Sequence, residues 1–196
     1  MKIRFKLLAA VLAVAAVAGL ALVVMRPEPP APKGEAAIGG SFTLVNHLGE
    51  TVTDADFHDR FLLLFFGYTY CPDVCPTTLT TITDALDQLG ADGDKVTPVF
   101  ISVDPERDTP EYLREYLAYF HPRLVGLTGT PAQVAAAAAA YRVYYAKAGQ
   151  EGEEDYIMDH TSVVYLMGPD GKYLAHFAHE TTPEDMASGI RRHLER

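Results

Sequence analysis

Cysteine is scarce in this 196-residue chain: it has two, Cys71 and Cys75. A bridge between them would close a tiny loop and restrain little of the unfolded chain, so disulfides do not scaffold the fold. Basic charge is scarce too, with 16 Lys and Arg against 26 Asp and Glu, a formal net charge of -10. The deficit is uneven. Residues 1–26 hold Lys2, Arg4, Lys6 and Arg26 and no acid, leaving 12 basic against 26 acidic residues, formally -14, in the rest. Such a surface repels phosphate backbones and argues against nucleic-acid binding. It can suit a basic partner, although solvation alone accounts for most acidic surfaces. Internal repeats are absent, which excludes a solenoid. What remains is an ordinary globular composition, 48% hydrophobic and 21% charged, able to bury a core.

Charge is missing altogether from Leu7 to Met25, nineteen apolar residues behind three basic ones. A signal peptide has an apolar core of about 7–15 residues and a spanning helix needs roughly 17–25, so residues 1–26 are expected to be a transmembrane anchor. Small residues such as Ala16 and Ala18 leave a cleaved signal as the alternative. The positive N-terminal side belongs in the cytoplasm, which puts the rest on the outer, periplasmic or extracytoplasmic face of the inner membrane. Residues 27–37 hold four prolines and a glycine. Proline removes a backbone donor and fixes φ, so this stretch is a spacer with a reach of ~3.1 Å per residue where extended. Residues 38–196 form the folded domain.

Within that domain strands and helices alternate. Ser41–Thr53 reads as a hairpin around Gly49. Phe61–Phe66 is a continuous apolar run, expected of a central strand buried on both faces. Cys75, Leu79, Ile82, Leu86 and Leu89 share one helical face, with Pro76 in the first turn. Val96–Val103 is a second buried strand. Thr109 caps a helix over 110–120, and Pro131 opens another through Ala140. Tyr141–Ala146 reads as extended and leads to an acidic loop at Gly149–Asp155. Thr161–Met167 and Tyr173–His179 flank a Gly-Pro-Asp-Gly turn, and Pro183 starts a last helix. The order predicts an α/β, thioredoxin-like fold with a central mixed sheet flanked by helices.

Both cysteines lie in Cys71-Pro-Asp-Val-Cys75-Pro76, between a buried strand and a helix start. Unpaired amides and partial positive charge at a helix N-terminus favour thiolate, the form that binds soft metals and attacks disulfides. A third ligand has to come from the seven histidines. His160 stands out, in Tyr156-Ile-Met-Asp-His160-Thr161 at the entrance to an apolar strand. Asp159 is a candidate to orient its imidazole, or else a turn residue. His176 and His179 make a poor chelating pair at strand spacing. Two thiolates and an imidazole suit copper in both oxidation states, Cu(I) and Cu(II), whereas a structural zinc site wants four protein ligands. Asp104 and Arg107, after the second buried strand, read as residues of a capped turn rather than ligands.

The segments Phe66-Gly-Tyr-Thr-Tyr-Cys71-Pro-Asp-Val-Cys75-Pro76, Ile101-Ser-Val-Asp104-Pro-Glu-Arg107-Asp108-Thr-Pro110, Gly126-Leu-Thr-Gly129 and Asp159-His160-Thr-Ser162 occur in that order. Together they resemble the signature of the SCO/SenC family, over roughly Ile38 to the C-terminus. The resemblance implies a thioredoxin-like copper chaperone that binds copper through Cys71, Cys75 and His160. It further implies assembly of the dinuclear copper site of cytochrome c oxidase subunit II, with another exported copper chaperone as donor. Such a protein is not an enzyme. The alternative is an exported thiol-disulfide reductase that cycles a Cys71–Cys75 disulfide and keeps the subunit II cysteines reduced. Against it, the usual redox motif has two residues between its cysteines and no need of His160. A thiol peroxidase is weaker still, since no arginine can be assigned to a peroxide pocket.

Overall fold

The computed structural model describes residues 38–149 and 156–195. The expected anchor and spacer, and most of the acidic loop, lie outside the described residues. Among the described residues no helix is long and apolar enough to cross a membrane.

The apolar run at Phe61–Gly67 forms β3, and all of its residues after Phe61 are buried. It sits inside a mixed sheet of seven strands, between parallel β4 (Val96–Ser102) and antiparallel β8 (Val163–Met167). Beyond β4 come parallel β5 (Val125–Thr128) and the antiparallel hairpin of β1 (Thr43–Asn46) and β2 (Thr51–Thr53). Beyond β8 lies antiparallel β9 (Tyr173–Ala178). Alternation along the strands makes two apolar faces. Phe100 meets Phe65 and Tyr116 on one face, while Phe66 meets Tyr141 on the other. Each of these buried phenylalanines contributes about 1.5–3 kcal/mol by leaving water.

Among the described residues, four α-helices accompany the sheet. The first, α1 (Val74–Leu89), buries Cys75, Leu79, Ile82, Leu86 and Leu89, as their spacing predicts, and packs on α4 (Pro183–Leu194). Helix α2 (Pro110–Leu117) and helix α3 (Pro131–Ala140) start on Thr109 and Thr130, whose hydroxyls accept from Tyr112 and Gln133 amides. Helix α2 stops short of the expected Phe120. The amides of Tyr119 and Phe120 turn back to Tyr116 and Leu117, and Pro122 keeps His121 out of helical geometry.

Two further expectations need correction. Tyr141 does not begin a strand; it closes α3, with its ring buried against Phe42, Phe66 and Tyr165. The strand, β6, starts at Tyr145 and runs to Ala148. His160 does not lie in a loop entering the main sheet. It ends a strand of its own, β7 (Ile157–His160), which pairs with β6 in a separate two-stranded sheet.

Gly67, at the end of β3, is where the fold meets the cysteine motif. A Cβ there would sit 2.8 Å from both Cys75 Sγ and Phe100 Cε2. Gly67→Ala is therefore expected to cost about 1–3 kcal/mol by overpacking. The loss should show as a lower urea midpoint at unchanged slope. An unchanged midpoint would show that Cys75 and Phe100 give way freely.

Candidate metal centre

The chain leaves β3 at Gly67 and turns through Thr69 before reaching Cys71. Its course is fixed by Asp108, a wholly buried carboxylate. Asp108 accepts from the Thr69 amide at 3.1 Å, and from the Thr69 and Ser102 hydroxyls. Burial pushes the Asp108 carboxyl up, and the three donors work against that shift. Cys71 follows, half-buried in the turn, and Cys75 lies in the first turn of α1, fully buried. The Cys75 amide donates to Cys71 Sγ at 3.3 Å, so an otherwise unpaired helix-start donor points at the outer sulfur.

The two sulfurs are unequal. The Cys75 thiol donates to Cys71 and brings the Cys71 thiol down to about 3, against the opposing effect of burial, with His160 and the Cys75 and Asp73 amides adding to the fall. The same bond, with desolvation, pushes Cys75 up. The two cysteines are not joined by a disulfide here. The two shifts run in opposite directions, favouring thiolate at the outer sulfur and thiol at the inner one.

His160 reaches this pair from β7, with its Nε2 3.4 Å from Cys75 Sγ. Cys71 Sγ, Cys75 Sγ and a His160 ring nitrogen all lie within 4.8 Å of one another. With metal–sulfur bonds of about 2.3 Å, ligand atoms around a three-coordinate ion stand about 4 Å apart, so a small inward movement closes the set. The ring edges of Tyr68 and Phe65 pack on the imidazole, at 5.8 and 6.1 Å between centroids. A shallow cleft lined by Tyr68, Cys71, Asp73, Met158 and His160 opens this corner to solvent. Two soft sulfurs and one nitrogen with an open side form a donor set for a soft ion such as copper.

Asp159 does not orient the imidazole. Strand alternation turns Met158 and His160 inward and Asp159 outward, where it is exposed. His160 Nδ1 instead lies 3.2 Å from the Thr161 carbonyl. Of the remaining histidines, His47 and His121 accept from the Gly126 and Arg123 amides, and His176 pairs with Tyr173. Among the described residues none joins the sulfurs. Asp108, Thr69 and Tyr68 were not singled out as site residues in the sequence; the strand-then-Asp pattern of 101–108 was the available signal.

The SCO1/SenC family model matches residues 30–195. The chain belongs to the SCO1/SenC family. It is 44% identical over 163 residues to the human mitochondrial SCO1 homolog, covering 82% of this chain and 54% of that protein. The chain spans about half the length of several of the mitochondrial SCO1 relatives it matches. Among solved structures, copper-bound ScoI of Bradyrhizobium japonicum is 48% identical with a TM-score of 0.74, covering 80% of this chain and 99% of that one. BsSco, described as a cytochrome c oxidase assembly protein with a disulfide switch, is 28% identical with a TM-score of 0.64, covering 83% and 95%. This SCO1/SenC chain thus shares its thioredoxin-like mixed sheet with solved members of the family.

The unequal sulfurs set a measurable pH profile. A free thiol loses alkylation rate about tenfold per pH unit below its pKa, because only the thiolate attacks. Cys71 should instead react with iodoacetamide at a nearly constant rate from pH 5 to pH 8, as peptide mapping would show, while Cys75 stays protected. A tenfold fall per unit over that range would show that Cys71 is an ordinary thiol.

Proposed function

We propose that this domain is a copper carrier that holds one ion through Cys71, Cys75 and His160. The observation that carries the reading is the convergence of three ligand atoms from two separately folded elements, within 4.8 Å. It is supported by 48% identity to a ScoI structure with copper bound. Thiolate sulfur suits Cu(I), imidazole extends the set to Cu(II), and three protein ligands leave a position through which the ion can be exchanged. In this reading the protein is a chaperone and not an enzyme. Copper is its cargo, supplied by another exported chaperone and delivered to the dinuclear site of cytochrome c oxidase subunit II. Residues 1–26 anchor it in the inner membrane, residues 27–37 are the spacer, and the domain works on the outer face.

Metal binding by both sulfurs must displace the proton that burial and the Cys71 contact favour on Cys75. Copper uptake at pH 8 should therefore release a proton from Cys75, and apparent affinity should rise with pH. The reduced domain should bind one copper and, as Cu(II), show a strong thiolate-to-metal charge-transfer band. Cys71→Ser or Cys75→Ser should abolish that band, and His160→Ala should shift it and weaken binding. An unchanged spectrum in His160→Ala would reject the histidine as a ligand.

A second reading rests on the sulfur asymmetry. An accessible thiolate at Cys71 with Cys75 beside it is the arrangement of an attacking and a resolving thiol. It would let the protein reduce the subunit II cysteines, and the disulfide switch named for BsSco is in keeping with it. Loaded protein mixed with reduced apo subunit II separates the two. Appearance of the dinuclear-site spectrum supports delivery. Reduction of oxidised subunit II by the metal-free protein, with no copper movement, would replace delivery with thiol reduction.

A further inference from the structure

Arg107 and Asp108 are neighbours in the loop between β4 and α2, and they face two different parts of the site. Asp108 fastens the turn before Cys71. Arg107 reaches the β6–β7 arm that carries His160. Its Nε donates to Asp104, a buried carboxylate, and its Nη1 donates to the Tyr156 carbonyl at 2.9 Å, just ahead of β7. The guanidinium lies over the Tyr156 ring, 3.7 Å from its centroid, and 4.6 Å from that of Tyr70 in the cysteine turn. The Tyr156 hydroxyl closes the ring of contacts by donating to the other Asp104 oxygen at 2.7 Å. Lys147 of β6 adds an exposed pair with Glu106. Exposed pairs of that kind contribute little.

The arm has its own hydrogen-bonded sheet, so its internal pairing says nothing about where it sits on the main body. The Met158 side chain packs beneath it as a non-directional apolar contact, and the Met158 backbone makes a single hydrogen bond to Tyr68. A planar guanidinium that donates along two edges while its faces stack on rings fixes both distance and angle. We propose that Arg107, with Asp104 and Tyr156, is the latch that positions the histidine arm over the cysteines. The same loop thereby aligns both halves of the site. The consequence for copper rests on the carrier reading; the latch itself does not.

The test uses reduced protein of full chain length, first without metal. Nuclear Overhauser contacts between the His160 imidazole and the Tyr68 ring should be strong in the wild type and lost in Arg107→Ala. Contacts between Phe65 and Phe100 in the core should persist. Arg107→Lys keeps the charge but not the fork, and should behave as Arg107→Ala does. Glu106→Gln should behave as wild type. With Cu(II) bound, Arg107→Ala should lose the imidazole-nitrogen splitting in its electron paramagnetic spectrum and bind at least tenfold more weakly. Adding His160→Ala to it should then cost nothing further. Tyr156→Leu gives the same readouts should the Arg107 variants not fold. Retained His160–Tyr68 contacts in Arg107→Ala, or a native Arg107→Lys, would overturn the latch. A wild type without a nitrogen signal would sink the histidine-bound copper reading, while the metal-free contacts would still decide the latch.

Discussion

The buried carboxylate of Asp108 takes three hydrogen bonds from Thr69 and Ser102, and the shape of the cysteine turn follows from that demand. A desolvated carboxylate without donors is costly, so the chain between Gly67 and Cys71 must present the Thr69 amide and hydroxyl inward. Once Thr69 is committed, Cys71 faces the cleft and the helix starts at Val74. Cys75 then falls in its first turn, above a glycine that is the only residue small enough to lie beneath the sulfur. The constraint is cooperative: the Ser102 hydroxyl that donates to Asp108 also accepts from the Asp104 amide. Turn, strand end and loop are one network, in which the Asp108 carboxylate, the Thr69 hydroxyl and the Ser102 hydroxyl satisfy one another.

That network delivers two sulfurs in unequal states. The inner sulfur is fully buried and its thiol is pushed up, while the outer one is half exposed and its thiol is pulled down beside it. Metal binding uses both sulfurs as thiolates and a disulfide uses them as an oxidised, bonded pair, so the two states exclude one another. The geometry suits either chemistry at the cysteines. The imidazole breaks the symmetry, because disulfide exchange does not require a third ligand and coordination of copper in both oxidation states does.

The sulfur half of the site was legible in the sequence because its signals are local. A continuous apolar run, a proline-bounded turn and a 3–4 helical spacing specify strand, loop and helix without reference to distant residues. The expected helix face of Cys75, Leu79, Ile82, Leu86 and Leu89 is the face that is buried. The histidine half was legible only as a residue. Strands β6 and β7 have four residues each and mixed polarity, too short for alternation to outweigh a loop reading. Without β7, the outward direction of Asp159 cannot be deduced, and adjacency to His160 leaves it either an orienting partner or a turn residue. Arg107 looked like a turn residue for a related reason. Its partners at 104 and 156 are brought together by tertiary structure, and neither burial nor ring stacking is written in a six-residue motif.

The site therefore joins a rigid part to a separately built one. Cys75 is held by a helix packed on the sheet and Cys71 by a turn pinned to Asp108, so the distance between the sulfurs is set by the core. His160 stands on a two-stranded sheet outside the main one. In a carrier, a ligand has to be lost before the ion can pass on, and the cheapest to displace is the one whose movement disturbs the least packing. Moving either sulfur would strip hydrogen bonds from a buried carboxylate or open a void beneath α1. Rotating the imidazole away disturbs two ring contacts and leaves the Arg107 contacts to the arm in place. On the copper reading, that inequality makes the imidazole the first ligand to be lost and the two sulfurs the last to hold the ion.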